Sequence, residues 1–79
     1  LQAYPSQVKD YVYVSSAELN PVSVEVIIVS STGGRVFEGT VQASAFEPGS
    51  IDLSQCAPGV YSLSASYAEN SFKQTIVKL

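Results

Sequence analysis

Residues that favour turns interrupt the chain at short intervals, and this spacing constrains the fold more than any other feature. They are prolines, glycines and one asparagine: Pro5, Pro21, Gly33-Gly34, Pro48-Gly49, Pro58-Gly59 and Asn70. Between them, no segment places apolar residues at the i, i+3, i+4, i+7 spacing of an amphipathic helix. The segments are instead short and rich in Val, Ile, Thr, Tyr and Phe, which is typical of a sandwich or barrel. The sequence therefore predicts an all-β fold.

Seven antiparallel strands account for these segments, and seven is the strand number of an immunoglobulin-like β-sandwich. We place them at residues 2–5, 11–16, 22–30, 35–43, 50–53, 59–67 and 72–79. Apolar and polar residues alternate throughout 59–67 and in the first half of 22–30. In the second half of 22–30, the even-numbered and the odd-numbered positions are both apolar, so we expect this half to be covered on both faces of the sheet. The alternation predicts a core that contains Val24, Val26, Ile28, Phe37, Tyr61, Leu63 and Ile76.

Composition argues against catalysis. The 79 residues correspond to a single small domain with a net charge of −3 and four scattered basic residues. No basic stripe is present, so we expect no nucleic-acid partner. The chain also lacks histidine, the commonest general base and metal ligand, and we predict no enzymatic activity, cofactor or metal site. Cys56 is the only cysteine, and we interpret it as a small buried apolar residue. The alternative for Cys56 is an intermolecular disulfide in an exported protein.

Several short motifs follow one another along the chain. They are Ala3-Tyr4-Pro5, Val8-Lys9-Asp10-Tyr11-Val12-Tyr13-Val14, Val24-Glu25-Val26, Thr32-Gly33-Gly34-Arg35-Val36-Phe37, Ile51-Asp52-Leu53-Ser54, Pro58-Gly59-Val60-Tyr61-Ser62-Leu63 and Lys73-Gln74-Thr75-Ile76-Val77-Lys78-Leu79. In this order and at this spacing, the set resembles the C-terminal sorting domain of cargo proteins of the type IX secretion system. The resemblance covers nearly the whole chain.

The resemblance implies both a fold and a function. Such domains are seven-stranded immunoglobulin-like sandwiches, and we expect residues 1–79 to be one C-terminal sorting domain excised from a larger exported protein. The domain directs the upstream cargo from the periplasm through an outer-membrane translocon. A sortase-like peptidase then commonly removes the domain, and the cargo stays on the cell surface or becomes extracellular. The implied partners are therefore the upstream cargo domain, the translocon and the peptidase. The alternative is an immunoglobulin-like accessory or adhesion domain at the end of a surface protein.

The resemblance also implies which residues the secretion machinery recognises. They are Gly59, Val60, Tyr61, Lys73, Ile76, Val77 and Lys78. The fold alone could require the same residues, and for Tyr61 we favour that interpretation. Immunoglobulin-like sandwiches often place a tyrosine at the start of the penultimate strand, where its hydroxyl bonds to the backbone a few residues upstream.

We expect the last strand, residues 72–79, to carry most of the export signal. A terminal edge strand offers unpaired backbone groups and accessible side chains to a partner. Lys73 and Lys78 are five residues apart, so they project from opposite faces of a regular strand. We expect Lys78, at the fraying end, to dock on the translocon. Lys73 then protects the strand edge from aggregation.

Self-association through strand edges is a further expectation. Residues 26–29 are apolar on both faces, and the terminal strand could pair outside its own domain. Both features predict a homodimer that forms through strand edges. The alternative is that residues 26–29 belong to a packed central strand and that an upstream domain covers the rest.

Overall fold

The computed structural model describes all residues from 1 to 79 and consists of eight β-strands. The strands are β1 (Gln2–Tyr4), β2 (Gln7–Val8), β3 (Tyr11–Ser15), β4 (Val22–Ser30), β5 (Arg35–Ala43), β6 (Gly49–Asp52), β7 (Gly59–Tyr67) and β8 (Asn70–Lys78). The all-β prediction is confirmed, and seven of the eight strands begin and end within two residues of the predicted positions. The fold offers no helix long and apolar enough to cross a membrane.

The strands form two sheets. The smaller sheet has the order β1-β3-β6, and the larger sheet has the order β2-β8-β7-β4-β5. Neighbouring strands are antiparallel except β2 and β8, which run parallel. The prediction of seven strands is wrong, because β2 is an eighth. It contains only two residues, which are too few to show an alternating pattern in the sequence.

Alternate residues of both sheets pack into one cluster of 14 buried side chains. Burial of each Val, Leu or Ile side chain contributes roughly 1.5–3 kcal/mol. The cluster confirms six of the seven predicted core residues: Val24, Val26, Ile28, Tyr61, Leu63 and Ile76. Phe37 is only partly buried, because it lies in β5, an edge strand of the larger sheet. Cys56 is half-buried against the same cluster, so it is less buried than the sequence predicted.

Strand β4 is internal, with β7 on one side and β5 on the other. Ile27 and Val29 lie on its outer face and are half-buried, so that face is less covered than expected. Residues 26–29 offer no free strand edge to a second copy, in agreement with the alternative of a packed central strand. The backbone groups of this segment already pair with two strands of the same chain.

Candidate functional site

Six of the seven residues that the sequence singled out form successive cross-strand pairs in the β7–β8 hairpin. The pairs are Gly59 with Lys78, Val60 with Val77 and Tyr61 with Ile76. We call these six residues the paired cluster, and it lies at the end of the hairpin opposite the turn. Lys73 lies outside the cluster, because it pairs with Ser64 closer to the turn.

The pairs of the cluster face alternately inward and outward, because paired residues of two antiparallel strands share a face. Tyr61 and Ile76 point into the core and are buried. Val60 and Val77 point away from it, with 47% and 36% of their surface exposed. The outward pair therefore supplies the side chains of the cluster that another molecule can touch, and the exposed Gly59 adjoins them.

The Tyr61 hydroxyl makes the hydrogen bond that the sequence predicted. It donates to the backbone carbonyl of Ala57, four residues upstream, over 2.6 Å. Tyr61 as a whole is only 6% exposed, so its side chain contributes both core packing and a loop contact. This geometry agrees with the interpretation of Tyr61 as a residue that the fold requires.

The two lysines of β8 differ in exposure, and the one that was expected to dock on the translocon is the buried one. They lie on opposite faces, as predicted. Lys78 is on the inner face and only 8% exposed, whereas Lys73 is exposed. The Lys78 ammonium group donates a hydrogen bond to the carbonyl oxygen of Leu79 over 3.0 Å. The expectation that Lys78 is an accessible group at a fraying end is therefore wrong, because its aliphatic stem lies at the margin of the core.

The outer edge of β8 is open over only part of its length. Strand β2 covers its last residues: the Val77 N–H donates to the Ser6 carbonyl over 2.8 Å, and the Leu79 N–H donates to the Val8 carbonyl over 2.9 Å. No strand pairs with this edge over residues 70–76. The prediction of an unpaired terminal strand at residues 72–79 is thus wrong for 77–79 and correct for 72–76. The short strand β2, which the sequence analysis missed, is the reason.

A groove of about 570 Å³ adjoins the paired cluster. Val36, Cys56, Gly59 and Val60 contribute to its lining, together with the turn between β4 and β5. A backbone hydrogen bond from the Ser31 N–H to the Val60 carbonyl, 3.1 Å long, holds that turn against β7. Sequence reasoning missed this groove, because its walls come from two segments, residues 30–36 and 55–61, that are distant in the chain.

Lys73 lines a different groove, on the outer face of the larger sheet. This groove has a volume of about 390 Å³ and includes Glu25, Ile27 and Phe72. Lys73 makes no ion pair, since the one ion pair of the chain joins Arg35 and Glu38 over 2.7 Å on the surface. The ammonium group of Lys73 is therefore free to meet an acidic group of a partner.

The pKa of one surface carboxyl group is shifted by its local hydrogen bonds. Hydrogen bonds from Ser54, from its side chain and from its backbone N–H, hold the pKa of Asp52 below its ordinary value of 3.8. The Ser54 N–H lies 2.8 Å from Asp52 Oδ1, so this pair is a local turn rather than a site. No three acidic or cysteine side chains lie together in a way that could hold a metal ion.

Comparison with known proteins gives one match. A family model described as "Secretion system C-terminal sorting domain" matches residues 2–79. No curated protein and no solved structure matches the chain.

Proposed function

The chain belongs to the family of type IX secretion system C-terminal sorting domains, and we propose that it is the signal that carries an upstream cargo protein through the outer-membrane translocon. The family consists of sorting signals and not of enzymes, and its cargo proteins are exported to the cell surface or the extracellular space. Membership implies two kinds of partner, an upstream cargo and the secretion machinery. In our proposal, residues 1–79 form the single C-terminal domain of the larger protein. The cargo crosses the periplasm in transit, and a sortase-like peptidase removes the domain afterwards.

The outward pair of Val60 and Val77 supports a specific recognition surface. Two apolar side chains stand exposed next to each other on a sheet, directly beside the 570 Å³ groove. A buried apolar contact surrounded by polar residues is the usual centre of a protein interface. In our proposal the translocon contacts this pair and the groove, and Lys73 adds an accessible positive charge outside the cluster.

The inward residues of the cluster then have an indirect role. Tyr61 and Ile76 fix the two strands to the core, and Lys78 closes the margin of the core beside Gly59. Gly59 has a φ of +151°, a conformation that residues with a side chain rarely adopt. In our proposal, Ile76 and Lys78 position Val60 and Val77 without touching the translocon, whereas Gly59 and Tyr61 also shape the groove that the translocon contacts.

The strand order supports an immunoglobulin-like type of sandwich. The order β8-β7-β4 corresponds to the G-F-C order of that fold, and β3-β6 corresponds to its B-E pair. The Tyr61 hydroxyl bond at the start of β7 corresponds to the tyrosine corner of strand F. The short strand β2, parallel to β8, is then a part of the first strand that has moved to the other sheet.

A reporter fusion tests the sorting function. The domain is fused to the C-terminus of a periplasmic reporter and expressed in a host with a working type IX system. We expect the reporter on the cell surface or in the medium, and in the periplasm when the domain is omitted or the host lacks the translocon. If the complete fusion stays in the periplasm while its sorting domain is folded, the sorting function is wrong and the accessory-domain alternative is favoured.

A further inference from the structure

Two large apolar side chains are more exposed than any others in the chain. Phe46 is 77% exposed and Leu19 is 71% exposed. Leu19 lies in the loop between β3 and β4, and Phe46 lies in the loop between β5 and β6. The two loops meet at one end of the sandwich, where the Ala45 N–H donates to the Glu18 carbonyl over 2.8 Å. We call Leu19 and Phe46, on these joined loops, the loop patch.

Two buried serines hold the loops in place. The Ser16 hydroxyl donates to the Ala43 carbonyl over 3.1 Å and accepts from the Glu18 N–H over 3.3 Å. The Ser44 hydroxyl accepts from the N–H groups of Phe46 and Glu47, over 3.3 and 3.0 Å. Every buried side-chain polar atom of the chain has a partner. The loops are therefore built to fixed shapes, and they present the two apolar side chains to solvent in fixed places.

A single exposed apolar side chain is ordinary on a protein surface, whereas exposed apolar side chains grouped in one region mark interaction sites. Leu19 and Phe46 each follow a residue of the Glu18–Ala45 backbone hydrogen bond, so they belong to one region of the surface. Aromatic side chains are enriched at protein interfaces, and a side chain on a rigid support loses little conformational entropy on binding. The ring of Phe46 therefore suits the centre of an interface, and Leu19 extends the apolar surface.

The polypeptide enters the domain at the same end. Gln2 pairs with Ser15 in the β1–β3 ladder, which places Leu1 next to Ser16, at the base of the first loop. A cargo domain that precedes this chain is therefore connected to it beside the loop patch. Such a domain has a high effective concentration at the patch, because the connection holds it close.

The charged side chains at this end of the sandwich are all negative. Glu18 and Glu47 flank the apolar side chains in the sequence, and Glu69 lies in the β7–β8 turn at the same end of the sandwich. The basic residues are elsewhere: Lys9, Arg35 and Lys78 at the opposite end, and Lys73 within β8. A partner with basic side chains around an apolar centre complements this surface.

We propose that the loop patch docks onto the cargo domain of the same protein, on a face with an apolar centre and a basic rim. The proposal rests on the upstream cargo that family membership implies, and it is independent of how the translocon recognises the paired cluster. Docking at this end leaves the paired cluster free, because that cluster lies at the opposite end of β7 and β8.

Photocross-linking in the purified full-length protein tests the proposal, with the sorting domain still attached to its cargo. The photoreactive residue p-benzoylphenylalanine replaces Phe46, and in a control variant it replaces Val36, which is 40% exposed at the other end of the sandwich. We expect position 46 to cross-link to the cargo domain within the same chain, and position 36 not to do so. Cross-links only between two copies, or equal cross-linking from both positions, would overturn the proposal.

A second measurement uses no reactive group. Small-angle scattering of the full-length protein compares wild type with the double variant Leu19→Ser and Phe46→Ser, and with Val36→Ser. We expect the double variant to increase the radius of gyration, because the sorting domain is released from the cargo, and Val36→Ser to leave it unchanged. Charge reversal by Glu18→Lys and Glu47→Lys should have the same effect as the double variant. An unchanged radius in both sets would overturn the proposal, and because no translocon is present, the result is separate from the test of sorting.

Discussion

Replacement of Tyr61 by phenylalanine isolates one hydrogen bond. Tyr61 as a whole is 6% exposed, and phenylalanine keeps the packing of the ring while it removes the hydroxyl that bonds to Ala57 over 2.6 Å. Ala57 is itself exposed, so water can reach its carbonyl and no buried acceptor is left unpaired. The cost is therefore the net value of one hydrogen bond, about 1 kcal/mol. In a domain of this size, such a loss lowers the melting temperature by about 4–8 °C.

Thermal and urea unfolding of the purified domain measure this cost. Tyr11→Phe is the matched control, since Tyr11 is 47% exposed and makes no hydrogen bond through its hydroxyl. Tyr61→Ala additionally loses the ring from the core, and we expect it to cost about 3–5 kcal/mol. If Tyr61→Phe is as stable as Tyr11→Phe, the hydroxyl does not support the fold. If Tyr61→Phe is folded but no longer exported, the hydroxyl is recognised directly and its assignment to the fold is wrong.

Further predictions concern the backbone, the buried lysine, acid stability and self-association. Gly59→Ala should destabilise the domain by about 1 kcal/mol or more in urea unfolding, because φ at this position disfavours a side chain. Lys78→Met keeps the buried stem, so the melting temperature of this variant should stay near that of wild type. Reporter export should also persist. Loss of export from a folded Lys78→Met variant would show that the ammonium group is recognised. The lowered pKa of Asp52 stabilises the fold while the carboxyl is ionised, and this contribution is lost as the pH falls through the folded-state pKa, below 3.8. Asp52→Asn should therefore show a smaller acid-induced drop in melting temperature than wild type; an identical pH profile would contradict this. The open edge of β8 at residues 70–76 predicts dimers in sedimentation experiments at high concentration, and a strict monomer would exclude them.

Sequence periodicity was sufficient to predict the positions of most strands, because each long strand has one face that packs towards the core. Strands β4, β5 and β7 begin and end where the pattern predicted, and the hairpin turn between β4 and β5 contains Gly33 with a φ of +97°. Strand β2 could not be predicted, since two residues carry no period. The position of a strand within its sheet is equally absent from the local pattern, so the sequence could not decide whether residues 26–29 belong to a central strand or take part in self-association; the structure places them inside the larger sheet.

The candidate site was likewise predicted only in part from the sequence. Alternation correctly placed Lys73 and Lys78 on opposite faces, but it could not decide which face was covered. That depends on β2, which packs against the end of β8, and on the core beneath Lys78. The loop patch depends on contacts between segments that lie far apart in the chain, such as Ser16 with Ala43, and no local signal records them.

The measurement that tests recognition most directly is surface delivery of a reporter fused to the domain with Val60→Ser and Val77→Ser. Tyr11→Ser is the control, because Tyr11 is as exposed as Val60 but lies in the other sheet. Each substitution on an exposed strand position costs up to about 1 kcal/mol, so thermal melts first establish that all variants are folded. We predict that the folded Val60→Ser and Val77→Ser variant stays in the periplasm, whereas the Tyr11→Ser variant reaches the cell surface. Normal surface delivery of the double valine variant would contradict the proposed recognition surface.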